Sequence, residues 1–510
     1  MDYSIEKLRK RVADNQLLIL FSVVYYCIII FLAWYLNITE DDAYSLHTSS
    51  GNLGYALNQS LDFESQPPVY FLLLTIWRFF SDSILWARIF SIVLIIFSQV
   101  MLFRFIKKNC TNQITNISSV LFLLNPVIIF TFFEIRLFAL LIFLSMATSI
   151  YFFNTYHSKN ITHKRRIVFV LLAISGIFTQ YLFAFLLFTL AIVLLVEKKW
   201  KAFWLFVMDM AIPLVLVLLF IPHIMNSVDV QNSLVAEVGR PFVYRIVEAF
   251  NVMLDRSLIY ILALNISQVY IWILRILVFI FFLISIDYLK LRNGFRDILP
   301  FLVIVLGIEF FYIVFHLIFG FQATLYKYTI MLFVPLFLLM IFLFKYIKPK
   351  LLSYGLAFLI ILYISEDFKH YKMLYKDYDI KSLSEYIMKD EKKDEPIFIY
   401  RNCNTDVLSQ YYKGINLLVP LPKAISYDKK FGPETWEIKK QDIVTLAHQL
   451  INYDSFYIVI INEKSLYNFS ESKKILTDFL FANFEMIQEK FFGQRLLVYK
   501  FSKKHKDVNE

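Results

Sequence analysis

The chain has 510 residues, of which 59% are hydrophobic and 18% charged, and its formal net charge is +10. Ordinary soluble domains have about a quarter of their residues charged, so this composition excludes a soluble globular protein and predicts one whose apolar surface lies in a bilayer. The positive charge is typical of basic cytoplasmic loops between membrane spans, and we expect no nucleic-acid partner.

Long apolar segments follow one another from the N-terminus. A basic stretch from Lys7 to Arg11 precedes the first of them, which is long enough to cross a bilayer and predicts a retained span rather than a cleavable signal. About eleven segments qualify as spans, at residues 17–36, 85–106, 114–133, 137–156, 167–181, 182–196, 203–222, 269–289, 298–319, 329–344 and 351–365.

The charges between these segments predict the topology. Basic clusters occupy every second connection, at residues 104–108, 159–166, 198–201, 290–296 and 345–350. Cytoplasmic loops carry the excess of Lys and Arg, so the N-terminus is predicted to be inside and the long loop 37–84 outside. Within that loop, the apolar stretch 69–80 is too short to span and is predicted to be an interfacial or re-entrant helix.

After residue 365 the composition changes to that of a water-soluble domain. Short apolar segments predict strands at residues 396–400, 416–419, 456–460 and 495–499, and intervening stretches predict helices at 405–413, 441–451 and 471–483. The predicted fold class is a polytopic α-helical membrane protein with about 11 transmembrane helices over residues 1–365, followed by an extracytoplasmic soluble α/β domain over residues 366–510.

The first outer loop opens with three consecutive carboxylates, Glu40, Asp41 and Asp42. Carboxylates at this position can activate an acceptor hydroxyl as a general base, or hold a divalent cation near a phosphate. The competing interpretation is a solvated acidic cap at the outer end of the span. Later in the loop, Gln66 precedes two prolines that fix the backbone before the short helix containing Tyr70.

Two further outer turns carry charge. Glu134 and Arg136 lie between two predicted spans, where charges are costly unless they are paired or functional, so they form either a local salt bridge or part of a site. Lys327 and Tyr328 lie at the outer end of a later span. A lysine there is a candidate phosphate ligand, or it extends to the lipid headgroups.

The order of these motifs resembles the GT-C superfamily of membrane glycosyltransferases. The motifs that carry the resemblance are Asp-Asp-Ala-Tyr-Ser, Pro-Pro-Val-Tyr, an Asp82-to-Arg88 connection into a span, Asn125-Pro126 with the later Glu-Ile-Arg, and Lys327-Tyr328 before a proline-containing span. Over residues 1–345, the chain is most similar to bacterial relatives of protein O-mannosyltransferases and lipid A aminoarabinose transferases.

The resemblance implies roles for particular residues. Asp41 and Asp42 match the family's acidic pair, whose first member activates the acceptor, and Glu134 matches a second-loop acid. Lys327 stands where the family has an arginine that meets the lipid phosphate. Gln66 and Gln180 stand where the family often has titratable residues.

The donor, by this resemblance, is a polyprenyl-phosphate-linked sugar, and the acceptor is a hydroxyl on a lipid, glycan or protein. Arg136, Lys327, Tyr328, Tyr70, Gln66 and Tyr181 are then candidates for binding the donor or its lipid phosphate. A divalent cation, Mg²⁺ or Mn²⁺, could be held by Asp42 and Glu134, although a monophosphate can also leave against side-chain cations alone. The transfer is expected to invert the anomeric centre.

Two other functions fit the same sequence. One is a flippase that moves a lipid-linked sugar without chemistry, and the other is a noncatalytic scaffold of an envelope-polysaccharide system. The expected location is a bacterial inner (plasma) membrane, with the active site and the C-terminal domain facing the periplasm or exterior.

Overall fold

The computed structural model describes residues 16–158, 161–225, 242–262, 268–319, 326–372, 374–375, 378–427, 437–461 and 469–504. The chain divides into two compact units. The membrane unit contains Met1–Trp34, Asn52–Leu61 and Ser65–Phe368, and the α/β unit contains Tyr35–Gly51, Asp62–Glu64 and Lys369–Glu510. The acidic segment of the first loop thus goes with the C-terminal residues, whereas the sequence prediction kept residues 37–84 with the membrane part.

Helices dominate the chain up to residue 372. In order they are Gln16–Tyr35 (α1), Glu40–Thr48 (α2), Leu53–Asp62 (α3), Val69–Arg78 (α4), Ile84–Asn109 (α5), Asn112–Leu124 (α6), Pro126–Phe133 (α7), Phe138–Thr155 (α8), His163–Ile177 (α9), Ala184–Val196 (α10), Trp200–Leu219 (α11), Phe242–Leu262 (α12), Gln268–Ser285 (α13), Tyr288–Phe319 (α14), Phe333–Phe344 (α15) and Pro349–Lys372 (α16). A short helical turn, Tyr326–Thr329, and a 3₁₀ turn, Ile330–Leu332, precede α15.

Seven helices among the described residues are long and apolar enough to cross a membrane, or eight if the bent pair α6 and α7 counts as one span. This confirms a multi-pass helical protein, but not the predicted number of eleven spans or the predicted orientation. Several of the other predicted spans are shorter helices: α9 has 15 residues and α10 has 13. The stretch 69–80 is confirmed as a short helix, α4, of 10 residues.

The Asn125–Pro126 dipeptide explains the bend of 48° between α6 and α7. Proline cannot donate a backbone hydrogen bond and suits the first position of a helix, so a new helix starts at Pro126. Asn125 caps it, because its side-chain oxygen accepts a hydrogen bond from the N–H of Val127 at 2.9 Å. The break leaves the Asn125 amide group available for a contact elsewhere in the unit.

The α/β unit is built on a five-stranded sheet with strand order β2-β1-β3-β5-β4. Its elements are Ile380–Asp390 (α17), Ile397–Tyr400 (β1), Asn404–Tyr411 (α18), Leu418–Leu421 (β2), Lys440–Leu450 (α19), Ser455–Ile461 (β3), Phe469–Asn483 (α20), Phe484–Phe492 (β4) and Leu496–Lys503 (β5). Strands β2, β1 and β3 are parallel, and β5 runs antiparallel to both β3 and β4.

The four predicted strands and three predicted helices of this unit are confirmed within a few residues. The sequence prediction did not include helix α17 or strand β4, whose seven interior residues are exposed. Buried apolar side chains on β1, β3 and β5 pack with those of α19 and α20 to form the core. Because β4 buries only its two end residues, it lacks the apolar pattern that marks a strand.

Helix α2 packs within the α/β unit through an aromatic cluster. The rings of Tyr44 and Phe63 lie 5.4 Å apart, and Phe63 lies 4.9 Å from Tyr427. The His47 ring stacks on Tyr427, and buried Cys403 completes the cluster. These contacts place a segment from the first predicted loop in the folded core of the C-terminal unit.

Candidate functional site

The three carboxylates predicted to carry the chemistry lie in the first turn of α2. The Thr39 hydroxyl accepts a hydrogen bond from the backbone N–H of Asp42 (3.3 Å), and the Asp42 carboxylate accepts one from the N–H of Thr39 (2.9 Å). This reciprocal pair is a capping box, which satisfies N–H groups that a helix start otherwise leaves without partners. Asp42 is fully buried and stabilises the start of α2.

Glu40 is bound by two side chains near the end of β1. Its carboxylate forms an ion pair with Arg401 at 3.3 Å and accepts a hydrogen bond from Asn404 Nδ2 at 2.9 Å. Arg401 has φ of 63°, a conformation that is costly for residues other than glycine. Strain of this kind persists only where surrounding contacts impose it, and here the buried arginine fixes the first residue of α2.

Asp41 differs from both neighbours because its side chain is exposed. Two other titratable side chains of α2 are neutral near pH 7. Burial, then the nearby Cys403 thiol and Glu40 carboxylate, raise the pKa of Tyr44 well above its ordinary value, and burial lowers the pKa of His47. Helix α2 therefore presents one exposed acid, Asp41, beside the half-buried Glu40 and the buried Asp42.

The turn between α7 and α8 carries Glu134 and Arg136, whose side chains are both buried. Arg88, fully buried on α5, holds this turn. Its Nε donates to the carbonyl of Phe133 and its Nη1 donates to the carbonyl of Ala33, both at 2.8 Å. Arg88 therefore ties the end of α7 to α1 and fixes the backbone from which Glu134 and Arg136 project.

A hydrogen-bond network positions the short helical turn that carries Lys327 and Tyr328. The Gln180 side chain donates through Nε2 to the carbonyl of Lys327 at 3.0 Å. The hydroxyl of Tyr312, on α14, donates to the carbonyl of Tyr328. Both contacts are made to backbone atoms, so they fix the course of the turn.

The same network reaches the Asn125 break. Asn125 Nδ2 donates to the carbonyl of Tyr260 at 2.9 Å, and the Tyr260 hydroxyl lies 2.6 Å from the Thr329 hydroxyl. Two motifs that are separated by about 200 residues in the sequence, Asn-Pro and Lys-Tyr, are therefore linked through α12.

The proline pair leads into the Gln180 segment. The N–H of Val69, the first residue of α4, donates to the carbonyl of Phe178 at 2.9 Å. Tyr70 follows and is fully buried. The structure thus brings the Pro-Pro elbow, Gln180 with Tyr181, and Lys327 with Tyr328 into one region of the membrane unit. Gln66 borders this region, and its N–H donates to the carbonyl of Ser60 at 2.8 Å.

Two polar atoms in this region are buried without a hydrogen-bond partner among the described residues, namely Gln180 Oε1 and the Tyr181 hydroxyl. An unsatisfied buried polar atom costs about 1–3 kcal/mol, so its presence in a fold suggests a partner outside the chain. Lys327 adds an exposed cation, with its Nζ 5.2 Å from the centre of the Tyr328 ring. A lysine can bind a phosphate, and a hydroxyl and an amide oxygen can bind the hydroxyl groups of a sugar.

The predicted divalent-cation ligands, Asp42 and Glu134, belong to different units. Within the described ranges, no group of three or more His, Cys, Asp or Glu side chains is arranged to hold a metal ion. One Asp42 oxygen is engaged in the capping box. The divalent cation held by Asp42 and Glu134 therefore stays a prediction.

Three residues that position the predicted ones had no role assigned from the sequence, namely Arg88, Arg401 and Asn404. The sequence does indicate that Arg88 has a partner, because an arginine at the start of an apolar span is costly without one. Nothing in the sequence indicates the roles of Arg401 and Asn404, since their partner Glu40 lies more than 300 residues away.

Two crystal structures of ArnT from Cupriavidus metallidurans share this fold. The apo structure aligns with a TM-score of 0.56 over 96% of this chain and 98% of that one, at 11% sequence identity. The structure bound to undecaprenyl phosphate aligns with a TM-score of 0.55 over 95% and 98% of the two chains, also at 11% identity. ArnT is a GT-C lipid A aminoarabinose transferase, so the predicted GT-C resemblance is confirmed at the level of the fold. No protein-family model and no curated protein matches the sequence.

Proposed function

We propose that this protein is a membrane glycosyltransferase that moves a sugar from a polyprenyl-phosphate-linked donor to an acceptor hydroxyl, with inversion. The observation that carries the proposal is the likeness to ArnT over 96% of the chain. One of the two ArnT structures holds undecaprenyl phosphate, the kind of lipid that such a reaction would release. The reaction takes place on the outer face of a bacterial inner membrane, and the acceptor is a lipid, glycan or protein.

Asp41 is the general base of the proposed reaction. Glu40 binds Arg401 and Asn404, and Asp42 completes the capping box, so both are committed to holding α2. Asp41 stands between them with an exposed carboxylate on a backbone that its neighbours fix. A base held in this way needs little reorganisation to take a proton from an acceptor hydroxyl.

Arg136 and Lys327 stabilise the departing phosphate. As Asp41 takes the hydroxyl proton, the acceptor oxygen forms a bond to the anomeric carbon, and the bond from that carbon to the phosphate oxygen breaks. The bonding electrons stay on the polyprenyl phosphate, and the two cations offset its added negative charge. Tyr181 and Gln180 supply a hydroxyl and an amide oxygen that have no partner among the described residues and can bind the donor sugar.

Sugar transfer by the purified full-length protein tests the proposal. The protein is reconstituted in detergent micelles and supplied with a panel of polyprenyl-phosphate sugars and a membrane extract, with and without a chelator. Asp41→Asn is compared with Asp62→Asn, an exposed carboxylate in the same predicted loop. We expect product from the wild type and from Asp62→Asn, and none from Asp41→Asn.

Three outcomes would change the assignment. Full activity in Asp41→Asn would remove Asp41 as the base. Loss of product with chelator would assign a divalent cation, Mg²⁺ or Mn²⁺, to the reaction. Donor binding without product from any donor would favour a lipid-linked-sugar flippase or a noncatalytic scaffold.

A further inference from the structure

A polar cavity of about 550 Å³ lies in the membrane unit, and none of the candidate site residues lines it. Its walls come from the ends of α5, α8 and α15, the start of α9 and the first part of α14. Glu134 and Arg136 precede α8, whereas this cavity lies where α8 ends. The 18 residues of α8 rise about 27 Å, so the cavity is separate from the proposed site.

The cavity is lined by an excess of positive charge. Four permanent cations surround it, Lys108, Arg165, Arg296 and Lys345, and its lining contains one acid, Asp297. Lys345 pairs with Asp297 at 3.7 Å. The other three cations form no ion pair within the part of the chain that the structure describes. With four cations and one acid, the lining carries a formal charge of +3.

The cavity also contains His157, whose partner Glu197 does not offset the positive charge of the lining. His157 lies 2.9 Å from Glu197, which also pairs with Lys199 at 2.9 Å. Burial alone would raise the pKa of Glu197, but the hydrogen bonds from His157 and Lys199 outweigh it and lower that pKa. The negative charge of Glu197 is therefore already balanced by its own partners, and it does not offset Lys108, Arg165 or Arg296.

Basic residues at one end of membrane helices are expected from charge-biased insertion, but their convergence on one cavity is not. Lys107 and Arg292 lie on the same helices as Lys108 and Arg296, and neither of them lines the cavity. Gathering like charges around a concave surface raises their mutual repulsion, which a bound anion relieves. The arrangement therefore fits an anionic ligand.

Four phenylalanines that line the cavity pack together and indicate the shape of that ligand. Phe301 lies 4.9 Å from Phe153 and 4.5 Å from Phe342, measured between ring centres, and Phe105 packs against both of those rings. The Lys345 ammonium group lies 4.6 Å above the Phe342 ring. A lining that combines cations with aromatic rings is complementary to a phosphate group that carries a short apolar portion.

We propose that this basic cavity binds a phosphate monoester or diester, at the opposite end of α8 from the proposed transfer site. The phosphate oxygens accept hydrogen bonds from Lys108, Arg165 and Arg296, and the adjoining carbon atoms pack against the phenylalanines that line the cavity. The ligand is either the headgroup of an anionic membrane lipid or a free phosphate ester. Both present the same group to the same side chains.

Two matched double variants of the full-length protein test this proposal. Lys108→Gln/Arg296→Gln removes two cavity cations, and Lys107→Gln/Arg292→Gln removes two charges from the same helices outside the cavity. Each protein is placed in phosphatidylcholine nanodiscs for titration with glycerol phosphate by calorimetry. Bound phosphatidylglycerol is measured separately by native mass spectrometry.

We expect the cavity variant to bind about tenfold or more weakly than the wild type and the control variant to bind like the wild type. If the cavity variant loses binding only to phosphatidylglycerol, the ligand is a lipid headgroup. If it loses binding to glycerol phosphate, the ligand is a soluble ester. Absence of binding to both probes in the wild type, or equal binding in the two variants, would overturn the proposal. Melting in phosphate-free buffer checks folding, because removing unpaired cations should not lower the melting temperature.

Discussion

Replacing Asp42 by Ala would separate a structural role of this acid from a chemical one. Asp42 is fully buried, and its carboxylate accepts the N–H of Thr39 at 2.9 Å, so the substitution removes one half of the capping box. Loss of a capping side chain costs about 0.5–2 kcal/mol. The Thr39→Ala variant removes the other half and introduces no change of charge, so it is a matched comparison.

We expect the free energy of unfolding to fall by about 1 kcal/mol in both variants. For a unit of this size, that corresponds to a melting temperature lower by roughly 2–4 °C. Sugar transfer should fall by a similar, modest factor in both, because a frayed first turn no longer holds Asp41 in place. Asp41→Asn should show the opposite behaviour, with an unchanged melting temperature and no transfer. The measurements are thermal unfolding and product formation by the purified full-length proteins.

A different result would refute this reasoning. If Asp42→Ala abolishes transfer without lowering the melting temperature, while Thr39→Ala has no effect, Asp42 takes part in the chemistry or binds a cation. Asp42→Asn adds a third point, since its amide oxygen can still accept the N–H of Thr39. Retained stability with lost transfer in that variant would point to the same conclusion.

Three further predictions concern the residues around this site. In a double-mutant cycle, the effects of Glu40→Ala and Arg401→Ala on the free energy of unfolding should couple by at least about 1 kcal/mol, because the ion pair is largely buried. Additive effects of the two substitutions would contradict the ion pair. Arg88→Met should lower the free energy of unfolding by about 3 kcal/mol or more, because two hydrogen bonds from a buried cation are lost. An unchanged melting temperature would show that Arg88 does not anchor the turn. Burial lowers the pKa of His47 below its ordinary 6.5, so the unfolded chain binds the proton more readily and stability falls as the pH drops through that value. His47→Phe should therefore melt with a weaker pH dependence than the wild type between about pH 7.5 and about pH 5.5, and an identical dependence would exclude this histidine as the cause.

Local sequence determined the elements of this protein. Apolar runs specify membrane helices because a bilayer tolerates only backbone whose hydrogen bonds are satisfied within the segment. Asn125-Pro126 specifies a break because proline cannot continue the helix, and the spacing of Thr39 and Asp42 specifies a helix start. The buried strands of the α/β unit were predictable for the same reason, whereas the exposed edge strand β4 was not.

Only the tertiary structure decided which side chains meet. Glu40 and Arg401 lie 361 positions apart, and Gln180 and Lys327 lie 147 apart, so no local pattern couples them. The fold also distinguishes the three adjacent carboxylates, by committing Glu40 to Arg401 and Asp42 to the helix cap while leaving Asp41 exposed. Periodicity and hydrophobicity act within one segment, but a side chain's partners depend on how distant segments pack, and that packing assigns the proposed roles.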